Sequence, residues 1–299
     1  MTHATTGPEA AARRVEPYAP DVPEGAGART GRLRSEVRAG RMVWRREMKH
    51  FWRDLPRVAA SLVQPMLFLY ILGIGLARLV AGSHASDDYL LFLFPGVLVM
   101  SIQQPAVAVG SSIVWDRQSG FLREMLVAPV SRASLLIGKC LGGATVATCQ
   151  AVVVLASAGL AHVPYRPELF AALLAELLLV ALSMTVLAAA LAVSIRRVQT
   201  FNVVLTALFL PLTFLSGMMF PLSAMPGWMA ALALVDPLSY AVDAMRQTVM
   251  AFHQGGTADY FDHITWGGWQ VPAAVSLGLV ALATVVGLWV ANRRFCKTD

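Results

Sequence analysis

Apolar residues run through this chain in long unbroken blocks, not in the alternating pattern of half-buried strands. Six blocks stand out, at about residues 57–80, 89–114, 135–161, 169–195, 200–220 and 269–291. A helix needs about 20 apolar residues to cross a hydrocarbon layer, and each block supplies them. A closed barrel is the other way to satisfy every backbone group in lipid, but it reads as short alternating segments. The pattern therefore predicts an all-α integral membrane protein with six transmembrane helices.

The stretches outside the blocks differ in character. Residues 1–35 are rich in Ala, Gly, Pro, Glu and Arg without apolar periodicity, and read as a disordered tail. In residues 36–56, Val37, Trp44, Met48, Phe51 and Leu55 recur at helical spacing, with Arg38, Arg45, Arg46, Lys49 and Arg53 around them. This predicts a basic amphipathic helix lying in the headgroup layer, with packing against other parts of the protein as the alternative. Between the fifth and sixth blocks, Asp236-Pro237 combines an N-cap with a proline at the first helical position. Leu238, Val242, Met245, Val249 and Phe252 then form an apolar stripe opposite Asp243, Arg246 and Gln247. At about 16 residues, or roughly 24 Å, this helix is too short and too polar for a seventh crossing. It reads as an outer-surface or re-entrant helix, with residues 226–235 as its partner.

Charge sets the orientation. Only 14% of the chain is charged, against about 25% in a soluble domain, while 57% is hydrophobic and the formal net charge is +6. With six crossings, both termini and the segments 115–134 and 196–199 share one side. That side and its membrane edges hold all of the 24 Lys and Arg residues except Arg78, Arg166 and Arg246. Such an excess marks the cytoplasmic face. A seventh crossing would strand Arg293, Arg294 and Lys297 outside. Because the basic residues flank apolar blocks, no nucleic-acid partner is expected. Cys140, Cys149 and Cys296 form no CxxC pair; the first two read as small packing residues.

Catalytic signatures are missing. Gly138-Lys139 is followed by Cys140 and has no upstream glycine, so it is not a phosphate loop. His162, His253 and His263, near Asp259 and Asp262, read as solvated loop residues before a metal site. Phe121, Leu122, Met125 and Leu126 form one side of a short helix, with Arg123 and Glu124 elsewhere, Pro129 as its stop and Ser131 as the next cap. A protein-docking element and a simple interfacial turn are equally compatible with it. Gln64, Gln103, Gln104 and Asn202 are polar positions inside apolar blocks, suited to a bundle interior, a partner or a substrate path. Glu176 is the sole acid well inside a span, either functional or reaching water near the interface.

The stretch from Asp116 to Lys139 resembles the cytoplasmic segment of ABC-2 membrane subunits, the permeases of ATP-binding cassette exporters. The matching residues are Gly120, Arg123-Glu124, Leu126, Ala128-Pro129-Val130-Ser131-Arg132 and Gly138-Lys139. Phe214-Leu215-Ser216-Gly217, Phe220-Pro221 and the run from Asp236 through Tyr240 and Asp243 to Arg246 match as well. The resemblance spans about residues 36–295 and is nearest to the daunorubicin-type drug-resistance branch. It implies that two such subunits pair in a bacterial plasma membrane above two separate ATPases, which use the ATP and Mg; this chain binds no cofactor of its own. It also implies that 116–130 is a coupling helix, through Asp116, Gly120, Phe121, Arg123, Glu124, Leu126 and Pro129. Asp236, Pro237, Tyr240, Asp243 and Arg246 then belong to a re-entrant outer helix. The weakly charged spans favour a hydrophobic or amphipathic small molecule as exported cargo, with polysaccharide or lipid-linked glycan as the alternative. A membrane-embedded enzyme would need acids, histidines or nucleophiles clustered at one depth. A scaffold or ion channel would have no use for the coupling pattern.

Overall fold

The computed structural model describes residues 26–80, 86–120, 131–161, 163–252, 263–266 and 268–297. Six helices among them are long and apolar enough to cross a membrane: Leu55–Leu76, Tyr89–Gln118, Ala133–Ala156, Pro167–Ser194, Val198–Leu215 and Ala273–Phe295, here spans 1 to 6. Several differ at their ends from the sequence expectation. Span 2 continues to Gln118 and closes at Gly120, whose φ of +75° is open to glycine at little cost. Span 3 stops at Ala156, ahead of a short 3-10 turn, and span 5 stops at Leu215, before the turn at Ser216 and Gly217. Span 6 starts only at Ala273, because a two-stranded hairpin, Thr265–Trp266 with Trp269–Gln270, and Pro272 precede it. Span 1 contains a wide π turn at Phe68–Leu72, just after Pro65, which has no N–H to give to the helical ladder.

Spans 2, 3 and 4 make the centre of the bundle, with 78, 61 and 61% of their apolar windows buried, against 17, 22 and 17% for spans 1, 5 and 6. Phe92, Phe94, Leu98, Leu173, Val180 and Ala188 are among the central residues closed off completely. The peripheral spans instead turn Val63, Ile71, Val203, Leu210, Val285 and Trp289 outward. Such faces suit hydrocarbon or a protein neighbour, not water. Cys140 is packed inside, as expected, whereas Cys149 is exposed on the outer side of span 3.

The N-terminal helix, Ala26–Arg53, begins inside the stretch expected to be disordered. After Pro23 no proline occurs until Pro56, and the Ala, Arg and Leu between favour a helix. Its packed face keeps only part of the expected stripe: Trp44, Met48 and Phe51 are half-buried beside the buried Val43, whereas Val37, and Leu55 beyond the helix, are exposed. The cause is the partner surface. A Cβ on Gly138 of span 3 would lie 2.9 Å from the Gly40 Cα, so only glycine permits this backbone-to-backbone approach. One turn on, Trp44 Nε1 donates to Thr145 Oγ1 at 3.1 Å. The contacts advance in the same direction along both helices, so this face is anchored on protein.

Candidate functional site

The end of the bundle carrying the N-terminal helix and the 196–199 loop is called the terminal end, and the opposite one the far end. At the terminal end, Asp116 in the last turn of span 2 meets Lys139, about two turns into span 3. Their side chains are only 9% and 10% exposed, and Lys139 Nζ contacts Asp116 Oδ2 directly. It also donates to Ser112 Oγ at 3.0 Å, and Arg46 of the N-terminal helix comes within 4.0 Å of Asp116 Oδ1. A charge out of water needs such partners, because an unpaired one costs several kcal/mol. The network ties three elements together where the 119–131 connection leaves and re-enters the bundle. Arg117 adds a fourth by donating to the Val193 carbonyl of span 4 at 2.9 Å.

Beside this network opens a cleft of about 530 Å³ between the N-terminal helix, spans 1 to 3 and the start of span 5. Its walls mix Gln104, Ser111 and Gln150 with Phe51, Val58, Trp115 and Val146. Gln150 Nε2 donates to Ser61 Oγ of span 1 at 2.6 Å, and Ser111 Oγ to Asn202 Oδ1 of span 5 at 2.9 Å. Apolar walls carrying a few placed polar groups are typical of a small-molecule site.

The expected path residues are not brought together. Gln104 lines the cleft and Asn202 touches its edge through Ser111. Gln103, on the next face of span 2, donates to Thr213 and fastens span 5. Gln64 faces outward from span 1, in a shallow apolar groove with Val63, Leu67 and Ile71. Glu176 lies deep in the far-end cluster described next. Of the expected coupling residues, Asp116 and Gly120 are placed; Phe121, Arg123, Glu124, Leu126 and Pro129 lie outside the described residues, as do His162, His253, Asp259 and Asp262.

At the far end, Asp236 caps the helix Pro237–Phe252, its Oδ1 accepting from the Leu238 N–H at 2.9 Å. Burial pushes the Asp236 carboxyl up to about 7, and that N–H works in the opposite direction. Leu238, Val242, Met245 and Val249 of the expected apolar stripe are buried and Phe252 is half-buried, and on the opposite side Asp243 and Arg246 are buried as well. Spans 2, 4, 5 and 6 surround the helix and supply partners for each polar group. Arg246, 1% exposed, gives Nη2 to the carbonyls of Gly217 at 2.9 Å and Phe92 at 3.4 Å. Its guanidinium also stacks 3.8 Å from the Phe92 ring centre. Asp243 accepts from Gln247 Nε2 at 2.7 Å, the Ile264 N–H at 3.3 Å and Ser276 Oγ at 3.4 Å, with His263 3.6 Å away. Tyr240 gives its hydroxyl to the Leu234 carbonyl at 2.8 Å and accepts from Trp266 Nε1 at 3.2 Å. Thr248 donates to Glu176, which therefore faces the bundle interior and not water.

Sequence reasoning passed over Lys139 as a paired group and Gln150 as a cleft residue. A cation inside an apolar block demands a partner, which could have singled out Lys139. Gly138 and Gly142, at the small-xxx-small spacing, could have announced the close helix contact.

The chain is similar to known transport permeases. The family model described as ABC-2 type transporter matches residues 39–250. A putative transport permease, ycf38, of Porphyra purpurea is 27% identical over 248 residues, 81% of this chain and 83% of its own length. The probable doxorubicin resistance ABC transporter permease protein DrrC of Mycobacterium tuberculosis is 29% identical over 199 residues, 66% of this chain and 72% of its own. The inner membrane transport permease YadH of Escherichia coli is 26% identical over 209 residues, 68% and 80% respectively.

Proposed function

The chain belongs to the ABC-2 type transporter family, and from that membership we propose that it is the permease subunit of an ATP-driven exporter of amphipathic small molecules. The observation that carries this reading is the cleft of about 530 Å³ beside the clamped stems of the 119–131 connection. Cargo enters there, with polar groups meeting Gln104, Ser111 and Gln150 and ring or alkyl parts meeting Phe51, Trp115 and Val58. The excess of Lys and Arg supports a cytoplasmic terminal end, in what we take to be a bacterial plasma membrane. The family membership implies that the energy comes from two partner ATPases beneath a pair of permease subunits, in keeping with a sequence that holds no phosphate loop.

In this mechanism, ATPase closure pushes on the 116–130 segment, with Arg123 and Glu124 in contact with the ATPase. The Asp116–Lys139 network passes that displacement to spans 2 and 3 together with the N-terminal helix. The cleft then closes on its cytoplasmic side and the cargo leaves outward. Inverted vesicles holding the permease and its ATPase test this, with ATP-dependent uptake of an amphipathic fluorescent dye as the readout. The parent takes up dye only with ATP. Glu124→Lys inserts normally and leaves ATP hydrolysis running while uptake is lost. Full uptake by Glu124→Lys removes the coupling role, and uptake without ATP removes the exporter reading.

A further inference from the structure

The N-terminal helix carries a second concave surface beside the cleft. Met42, Arg45, Arg46, Lys49, His50 and Arg53 line a groove of about 430 Å³. Arg46 serves the Asp116 network, but Arg45, Lys49 and Arg53 are exposed and have no carboxylate partner among the described residues. Three uncompensated cations within about 12 Å of helix rise repel one another unless an anion sits among them.

The surroundings narrow the identity of that anion. Leu55, the first residue of span 1, follows directly, so the groove lies at the level where the hydrocarbon begins. Trp52 and Met42 are 67% and 66% exposed beside it. Tryptophan next to lysine and arginine at a span entrance belongs to the headgroup layer. A ligand for this groove therefore needs a negative head for the cations and an apolar body for Met42 and Trp52.

We propose that the Arg45–Lys49–Arg53 groove is a binding site for the phosphate headgroup of an anionic phospholipid from the surrounding leaflet. The phosphate takes charge-assisted hydrogen bonds from the guanidinium and ammonium groups. The acyl chains run beside Trp52 and Leu55 toward span 1. Because Arg46 and His50 line both the groove and the transport cleft, the bound lipid sits at the mouth of that cleft. It holds the outer side of the helix to the membrane while Gly40 and Trp44 hold its inner side to span 3. The site needs no assumption about cargo or direction of transport.

The test uses the full chain purified in detergent and titrated with dihexanoyl phosphatidylglycerol, dihexanoyl phosphatidylcholine or inorganic phosphate, with thermal unfolding as the readout. Phosphatidylglycerol is expected to raise the Tm at concentrations roughly tenfold below any effect of phosphatidylcholine. The triple variant Arg45→Gln/Lys49→Gln/Arg53→Gln should unfold at the parent temperature without lipid and lose that selectivity. Arg45→Lys/Arg53→Lys should keep it, which separates charge from a folding defect. Equal responses to the two lipids, or selectivity surviving in the triple variant, overturn the proposal. So does an equal shift with inorganic phosphate, which would make the groove a general anion site. A triple variant that keeps its lipid response but no longer holds its ATPase would reassign the groove to an acidic protein surface.

Discussion

The two ends of the bundle both bury charge, and they do so in opposite ways. At the terminal end, Asp116 and Lys139 are matched to each other, with Arg46 close by, and the group borders an open cleft. At the far end, Arg246 is held by the carbonyls of Gly217 and Phe92 and by an aromatic face, and Asp243 by N–H and O–H donors. Paired side chains on different helices can separate and reform as those helices shift. A guanidinium seated on main-chain carbonyls has less freedom, because its partners belong to the backbone of span 2 and of the turn that follows span 5. The terminal end is therefore suited to transmit movement, and the far-end helix to act as a fixed wedge among spans 2, 4, 5 and 6.

The largest expected effect comes from splitting the terminal pair. Lys139→Met leaves the Asp116 carboxylate out of water with only a distant Arg46, at a cost of about 3–5 kcal/mol. Asp116→Asn added to it removes the stranded charge and brings stability back near the parent. The buried Cys140 thiol offers a readout, since a maleimide dye reports its exposure on unfolding once the other two cysteines, Cys149 and Cys296, are replaced by Ser. A double variant no more stable than Lys139→Met would show that the two groups are not energetically coupled.

Next in size, Arg246→Met gives up the charge-assisted bonds to two carbonyls and the contact with Phe92, about 2–3 kcal/mol by the same thiol assay. The contrast lies in the lack of rescue. Asp243 favours the Arg246 charge without a direct ion pair, and it keeps its own donors, so Asp243→Asn added to Arg246→Met lowers the Tm further or leaves it unchanged. Recovery in that double variant would mean that the far end is also a matched pair, and the distinction between the ends would fall.

The sequence made one kind of information plain and concealed another. Six apolar blocks become six spans, because length and hydropathy are local properties of a segment. The Asp236 cap and the buried stripe Leu238, Val242, Met245 and Val249 were equally readable. What the helical pattern left open was where the polar face of the Pro237–Phe252 helix points. Asp243 and Arg246 lie inward because Gly217, Phe92, Ile264 and Ser276 come from distant parts of the chain to meet them. The packed face of the N-terminal helix was hidden for the same reason, since Gly40 carries no apolar signal and matters only against Gly138. Among the polar span residues, composition alone made Gln103 and Gln104 equivalent, and the tertiary fold separates them.

That separation provides the smallest and most discriminating comparison. Gln103 donates to Thr213 and fastens span 2 to span 5, whereas Gln104 is exposed in the cleft with no hydrogen bond to a described residue. Gln103→Ala should cost about 1 kcal/mol, the net value of one hydrogen bond, and lower the Tm by a few degrees. Gln104→Ala should leave the Tm unchanged, since an exposed substitution without partners stays within about 0.5 kcal/mol. Its effect belongs in transport: a group that meets cargo on entry raises the dye concentration for half-maximal ATP-driven uptake by a few-fold when removed, without changing the maximal rate. Gln103→Ala, measured at a temperature where it is folded, should not move that concentration. Should the two adjacent glutamines behave alike in uptake, the cleft at the terminal end loses its role in the path, and its openness would have to serve only the movement of the N-terminal helix.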